Sequence, residues 1–517
     1  MPIRMGGMAS GLDTDNIIQE LMKAQRTKST KIDNQITKLE WKQEKWKNLN
    51  TKIYSLYTGS LSKVKMQGNY NTKKASSTNN AKLEVTASNT APEGNHSVKV
   101  KSVASSQFVT GSAIPTTKNI TYGTLLTDLN MEAAVDSSIT IKTGKGEETL
   151  EITETTTVGD FISTLQKAGL NANYDTSLKR FFISSKAGGT ENAFTIETSS
   201  ADVDLSKLGL SEVKKNVDPV TGKVSLSTAS NVTVVNPSDA IILYNEAEIK
   251  SSSNTINVNG LTITVKEVTK GSDTPELTDD EAINISVSRD TQAVYDMIKG
   301  FLKEYNEVLK ELNTSFNADR AKGYEPLTDE EKDAMTESQV EKWEGKIKDS
   351  LLRRDMTLSS NISIMREGLS KSVTVNGKSY SLASFGITSV SYKEKGLLHI
   401  DGDKDDILTS SKDDKLMKAI TDNPDAVMEV LSQLTSDLYK SMTEEMKSSP
   451  IRSALTFYND KEISKTITDY KDKLDDMEDR LIDMENRYYR QFSAMETMMS
   501  KLNSQSSSLT SLLGSNS

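Results

Sequence analysis

The sequence predicts an α+β multidomain protein. Paired N- and C-terminal helices form a coiled-coil or helix-bundle leg, and β-rich head domains are inserted between them. Three observations carry that prediction. Both ends place apolar residues at steps of three and four, the helical spacing. From about residue 76 to 289 the texture changes to short alternating runs rich in Ser, Thr and Asn, the spacing of half-buried strands. The chain has 517 residues, too many for one core, with only 35% hydrophobic and 6% aromatic residues and a mean hydropathy of −0.51. Those values describe much surface per residue.

The N-terminal helix is expected to start at Asp13. Asp13 serves as N-cap, and Leu12 and Ile17 stand where a hydrophobic staple would place them. Ile18, Leu21 and Met22 give a short apolar face, and Ile32, Ile36, Leu39, Trp46, Ile53 and Leu56 continue it, with Gln43 a polar member. Gly59 and Gly68 are the expected weak points or stops.

Strands follow over Leu83–Ala87, His96–Val100, Ile139–Lys142 and Leu150–Thr153. The run TVGDFISTLQKAG, 157–169, reads as one amphipathic helix ending at Gly169. Phe181–Ser184 and Phe194–Glu197 read as strands beyond it. Asn259-Gly260 and Asn376-Gly377 each sit between alternating runs, the pattern of a two-residue hairpin turn. Helical patterning returns at Asp290, with Tyr295, Ile298, Leu302, Tyr305, Leu309 and Leu312 on one face. Two capping boxes follow, Thr328 with Glu331 and Thr336 with Gln339.

The last helix carries Ile463, Ile467, Tyr470, Leu474, Met477, Leu481, Met484 and Tyr488 at alternating steps of four and three, a heptad seam. An extra step of four, Tyr488 to Phe492, precedes Met495, Met499 and Leu502, and such a stutter locally unwinds a supercoil. The final twenty residues extend the stripe to Leu509 and Leu513, yet eight of the twenty are Ser, which competes for its own backbone. This end has enough stripe to choose a face and too little to fold unaided.

Charge is unevenly placed. Residues 23–52 hold nine Lys/Arg against three carboxylates, and residues 469–485 hold eight carboxylates against three cations. That asymmetry suggests mutual pairing, which at about 0–1 kcal/mol per exposed pair sets orientation more than stability. With a net charge of −10 and no basic patch interleaved with aromatics, nucleic-acid binding is not expected. No apolar run reaches 18 residues, so no membrane insertion is expected, and the first fifteen residues lack the apolar core of a secretory signal.

Chemistry finds little purchase. There is no cysteine, which excludes disulfides, thiolate metal sites and Cys nucleophiles. His96 and His399, the two histidines, have no second His nearby for zinc or a triad. Asp401, Asp403 and Asp405 match the start of a calcium loop, but Asp406 replaces its glycine and Lys412 its closing glutamate. The run GGMASG, 6–11, lacks the middle glycine of a dinucleotide loop, and no carboxylate pair lies among aromatics as a sugar cleft would require. No catalytic, metal or cofactor site is expected.

The run MASGLDTDNIIQELMKAQR, 8–26, closely resembles the N-terminal signature of the hook-associated protein 2 family, the flagellar filament caps also called FliD. RYYRQFSAMETMMSKLNSQSSSL, 487–509, resembles the family's C-terminal signature. YEPLTDEEKDAMTESQVEKWEGKIKDSLLRRD (324–355), SFGIT (384–388) and KAITDNPDAV (418–427) are similar to its middle motifs. The resemblance is weakest over about 105–235.

It implies a secreted, extracellular protein of the bacterial flagellum, exported unfolded through the flagellar type III apparatus and held beforehand by an export chaperone. It implies a homo-oligomeric ring, usually described as a pentamer, at the distal filament tip. There the ring promotes folding and insertion of exported flagellin and prevents its loss. The implied partners are further copies of the chain, flagellin and hook–filament junction proteins and, in some bacteria, host mucin or other surfaces through an adhesion role. A secreted adhesin or a type III needle-tip-like structural protein is the alternative, since it too would pair its terminal helices.

The expected division is 1–40 with 475–517 as terminal coiled-coil segments, disordered when unassembled. Residues 41–75 with 290–474 form a helical leg domain with a β-hairpin. Residues 76–115 with 236–289 form an inner β-rich head, and 116–235 an outer one. The residues expected to carry partner contacts are Leu12, Ile17, Ile18, Leu21 and Met22 at one end. At the other they are Tyr488, Phe492, Met495, Met499, Leu502, Leu509 and Leu513.

Overall fold

The computed structural model describes residues 13–114, 116, 119–131, 137–199, 203–217, 224–228, 231–269 and 282–514. The chain divides into a helical unit, Met1–Tyr70 with Thr291–Ser517, and a β-rich unit, Asn71–Asp290.

In the helical unit, one helix runs Thr14–Thr58, here the N-helix. The Asp13 carboxylate accepts from Asn16 N at 3.0 Å, so the cap forms where the sequence places it. Gly59 ends the helix, and a Cβ there would lie 2.6 Å from the Ser55 carbonyl oxygen, a contact no other residue could make without a shift. The inner half of the N-helix carries Trp46, Leu49, Ile53 and Leu56 into a core shared with helices Thr291–Phe316, Met356–Ser370 and Pro424–Glu445. The face of Thr291–Phe316 predicted from spacing is the buried one. Trp46 stacks on Tyr458 with ring centroids 5.5 Å apart and planes 2° from parallel. Both predicted capping boxes close, at Thr328 and at Thr336. The Asn376-Gly377 turn joins strands Val373–Val375 and Lys378–Tyr380 with positive φ at both turn residues, as this turn type demands. The last helix, Asp460–Gly514, is here the C-helix.

In the β-rich unit every strand pairing is antiparallel among the described residues. A five-stranded sheet takes the order Lys73–Ser77, Ile283–Arg289, Gly94–Ser102, Ala240–Tyr244, Ala247–Ser251. A three-stranded sheet takes the order Thr255–Val258, Leu261–Val265, Leu83–Ala87, its hairpin turned by Asn259-Gly260. Alternate residues of both sheets, among them Leu83, Val98, Val100, Ile242, Ile263 and Ile285, fill one core. A second core lies where the strands Phe108–Thr110, Thr233–Val235, Arg180–Ser185 and Leu170–Asp175 pack with helix Val158–Lys167 and a further three-stranded sheet. Phe161 and Leu165 of that helix meet Phe181 and Ile183 of the sheet.

The boundaries differ from expectation in three places. The helical unit ends at Tyr70 rather than residue 75, because Lys73–Ser77 pairs along its whole length with Ile283–Arg289. Residues 108–114 belong with the outer core rather than the inner, because Phe108–Thr110 pairs with Arg180–Ser185 and Val109 and Ile114 are buried in that core. The strand expected over Leu150–Thr153 is Gly146–Glu151. Thr153 N donates to Thr156 Oγ1 at 2.8 Å, and that local turn ends the strand early.

Candidate assembly surface

The two end helices run antiparallel, and polar contacts fix their register. Gln43 Nε2 donates to Ser464 Oγ at 2.8 Å. Further out, Lys471 pairs with Glu40 at 2.8 Å and Arg26 with Glu485 at 3.6 Å. Near the core, Asn50 Oδ1 accepts from Phe457 N at 2.7 Å.

Packing along this pair is uneven. The N-helix buries Trp46 through Tyr57 against the main core and buries Ile18 and Met22 near its start, but between Met22 and Trp46 only Ile36 is fully buried. The outer contact is a small cluster: Ile18, Met22 and Leu481, flanked by Met477, Tyr488, Tyr489 and Phe492. Polar Gln25 and Ser29 occupy the seam positions between the two regions. An open groove of about 1460 Å³ runs beside this stretch, lined by Met22, Arg26, Thr30, Glu325, Tyr470 and Tyr489 among others.

Carrying the Arg26–Glu485 register outward to Thr14 brings the C-helix to about residue 497. Burial ends there too. Phe492 is the last half-buried apolar side chain of the C-helix, and every described side chain from Thr497 to Ser511 is exposed. The exposed set includes Met498 at 70%, Leu502 at 59% and Leu509 at 59%. Ser508 and Ser511 turn back on their own helix: Ser508 Oγ donates to Ser504 O and Ser511 Oγ to Ser508 O. They present small, self-satisfied side chains between the exposed methionines and leucines.

The residues singled out from sequence thus separate into groups. Ile18 and Met22 are buried in the outer cluster, with Tyr488 and Phe492 half-buried beside them. Ile17, Leu21, Met495, Met499, Leu502 and Leu509 are exposed. Leu12 lies outside the described residues; Leu513 lies within the C-helix, but its side chain is not among those described.

The charge pairing expected between the two ends is mostly not made. Lys38 pairs with Glu325, Lys42 with Asp355, Lys45 with Asp349 and Lys52 with Glu311, all on other elements of the helical unit. Between the basic stretch of the N-helix and the acidic stretch of the C-helix, two pairs form, Arg26–Glu485 and Glu40–Lys471. Helix Thr291–Phe316, helix Glu337–Ser350 and the loops beside them also face the N-helix and supply the carboxylates that its lysines meet.

The calcium-like loop is filled by lysines. Lys299 Nζ lies 2.6 Å from both Asp403 and Asp405, and Lys412 Nζ lies 2.8 Å from Asp401. His399 sits between Asp406 and Glu394, at 2.5 Å and 2.8 Å. Burial alone would raise the Asp406 pKa, but hydrogen bonds from His399 and the Leu408 N–H outweigh it and hold that carboxyl below its ordinary range. Among the described residues no group of three metal-ligating side chains converges, and no helix is long and apolar enough to cross a membrane.

Paired chain ends, β cores inserted between them and a bare apolar stripe define a structural protein organised around its termini. Sequence models of flagellar hook-associated protein 2 match over both arms: the N-terminus model over residues 10–107 and the C-terminus model over residues 237–504. The flagellar hook-associated protein 2 of Halalkalibacterium halodurans is 28% identical, over 98% of this chain and 99% of its own. That of Escherichia coli is 24% identical over 99% and 98%. A crystal structure of three domains of the Escherichia coli flagellar cap protein FliD superposes with a TM-score of 0.50 at 17% identity, over 82% of this chain and 99% of that one, a likeness of fold. The chain belongs to the flagellar hook-associated protein 2 family, a family of flagellar cap proteins. The stretch matched by neither model, 108–236, is the part of the chain that builds the outer β core.

Proposed function

We propose that this chain caps the flagellar filament from outside the cell, as a ring of copies at the distal tip. The ring promotes folding and insertion of arriving flagellin and prevents its loss. A pentamer is the stoichiometry the family suggests, and an export chaperone holds the chain before secretion. The contact with flagellin, the filament end and the hook–filament junction falls to the outer ends of the two terminal helices.

The observation that carries this reading is the exposed stripe Met495, Met499, Leu502 and Leu509, continued on the N-helix by Ile17 and Leu21. Burying one such large side chain is worth about 1.5–3 kcal/mol, so a partner that covers the stripe gains several kcal/mol, offset by the ordering of the helix ends. A thin stripe spaced by serines also lets contacts release and re-form as each subunit inserts.

The experiment is deletion of the gene with add-back of purified protein. Cells without the chain are expected to shed monomeric flagellin into the medium and carry short or absent filaments. Added protein should bind filament ends in electron micrographs and restore growth. Normal filaments in the deletion strain would sink the reading.

A further inference from the structure

The acidic stretch of the C-helix looks away from the N-helix. Asp472, Asp475, Asp476, Asp479 and Asp483 recur at steps of three and four, so they share one face, opposite the seam of Leu474, Met477 and Leu481. All five are exposed, and no ion pair among the described residues involves them. Asp472 with Asp476, Asp475 with Asp479 and Asp479 with Asp483 are like-charge pairs one turn apart, each destabilising the helix that carries it. Arg480, one turn from both Asp476 and Asp483, offsets part of this repulsion, and the face keeps a net negative charge that a cation from elsewhere would relieve.

The matching cations lie at the same level of the helix pair. Read through the Arg26–Glu485 and Glu40–Lys471 contacts, Asp472 to Asp483 spans N-helix residues from about 28 to 39. Lys28 and Lys31 stand there, exposed and one turn apart, and neither forms an ion pair among the described residues. Five residues further out Lys23 is 80% exposed and pairs with Glu20 at 3.9 Å. Lys23 and Lys31 line the open groove beside the N-helix, where Glu325 is already bound by Lys38 and Glu485 by Arg26.

We propose that the occupant of the acidic face is a second copy of this chain: Asp472, Asp476, Asp479 and Asp483 of one copy dock on the Lys28 and Lys31 side of the next. Two copies standing side by side, parallel and without axial shift, bring these faces to the same height. The contact joins two different patches, so it is head-to-tail, and its repetition closes into a ring where the rotation between neighbours divides a full turn. It is screened by salt, with a Debye length of about 8 Å at physiological ionic strength. This contact rests on the ring reading above and assigns one of its interfaces.

The test uses the full chain and sedimentation velocity at low and at about 0.5 M NaCl. One variant carries Asp472→Lys, Asp476→Lys and Asp479→Lys, a second carries Lys28→Glu and Lys31→Glu, and a third combines them. Circular dichroism checks that each is folded. Each charge-reversed set is expected to weaken self-association at least tenfold at low salt, and the combination to recover most of the loss. Unchanged association in either set, or a combined variant weaker than both, overturns the contact. A ring that forms with charge-insensitive affinity overturns this interface alone. A wild-type chain that stays monomeric and never binds filament ends overturns the cap reading with it.

Discussion

The Gln43 amide donates to the Ser464 hydroxyl at 2.8 Å across the two end helices. This side-chain bond is made in one register only, because a slide by a heptad would carry Gln43 away from Ser464 and toward Lys471. The chain has no cysteine, so this register can be read by crosslinking without background. Gln43→Cys with Ser464→Cys is expected to form a disulfide under mild oxidation, and Gln43→Cys with Lys471→Cys, one heptad away, is not. Equal crosslinking of the two pairs would mean the register slides.

Trp46 ties the N-helix to the helical core through its stack on Tyr458 and is 1% exposed. Trp46→Ala removes a large side chain from a packed site, which costs about 3–5 kcal/mol. Urea unfolding should show that loss in the transition of the helical unit. A shift below about 1 kcal/mol would mean that this joint is not where the N-helix is held.

Sequence patterning foresaw the helices, caps and turns because each is a local property. Asp13, Thr328, Thr336, Asn259-Gly260 and Asn376-Gly377 all do in the fold what their neighbours in sequence implied. The partners of the charges were not legible. A lysine such as Lys42 declares its charge but not which of several facing elements will meet it, and Asp355 is more than three hundred positions away. The same holds for Lys299, which fills the calcium-like loop from a distant helix. Exposure of the outer C-helix was legible only as weakness, in its serines and its stutter. That its burial ends at Phe492 depends on where the N-helix begins, a long-range fact.

Asp239 gives the β-rich unit a pH dependence. Its carboxylate accepts from Thr190 N at 2.7 Å and Thr190 Oγ1 at 2.6 Å and pairs with Lys250 at 3.0 Å. Burial works to raise its pKa, but these hydrogen bonds and the ammonium prevail and hold it below the ordinary carboxylate range. A depressed folded pKa contributes stability that is present above the unfolded value, about 3.9, and lost as pH falls through the folded one. Asp239→Asn is therefore expected to lower stability at pH 7 by about 1–2 kcal/mol, with the difference from wild type closing below about pH 4. A difference that stays constant from pH 7 to pH 2 would remove the carboxylate's charge from the account.

The central claim is that the C-helix beyond Phe492 serves assembly and not the fold of the single chain, and deletion of residues 500–517 tests it most directly. The described side chains among those removed, through Ser511, are all exposed, so unfolding free energy should change by no more than about 0.5 kcal/mol. Filament-end binding and flagellin retention should both be lost. A truncated chain that still caps filaments and supports their elongation would contradict the claim.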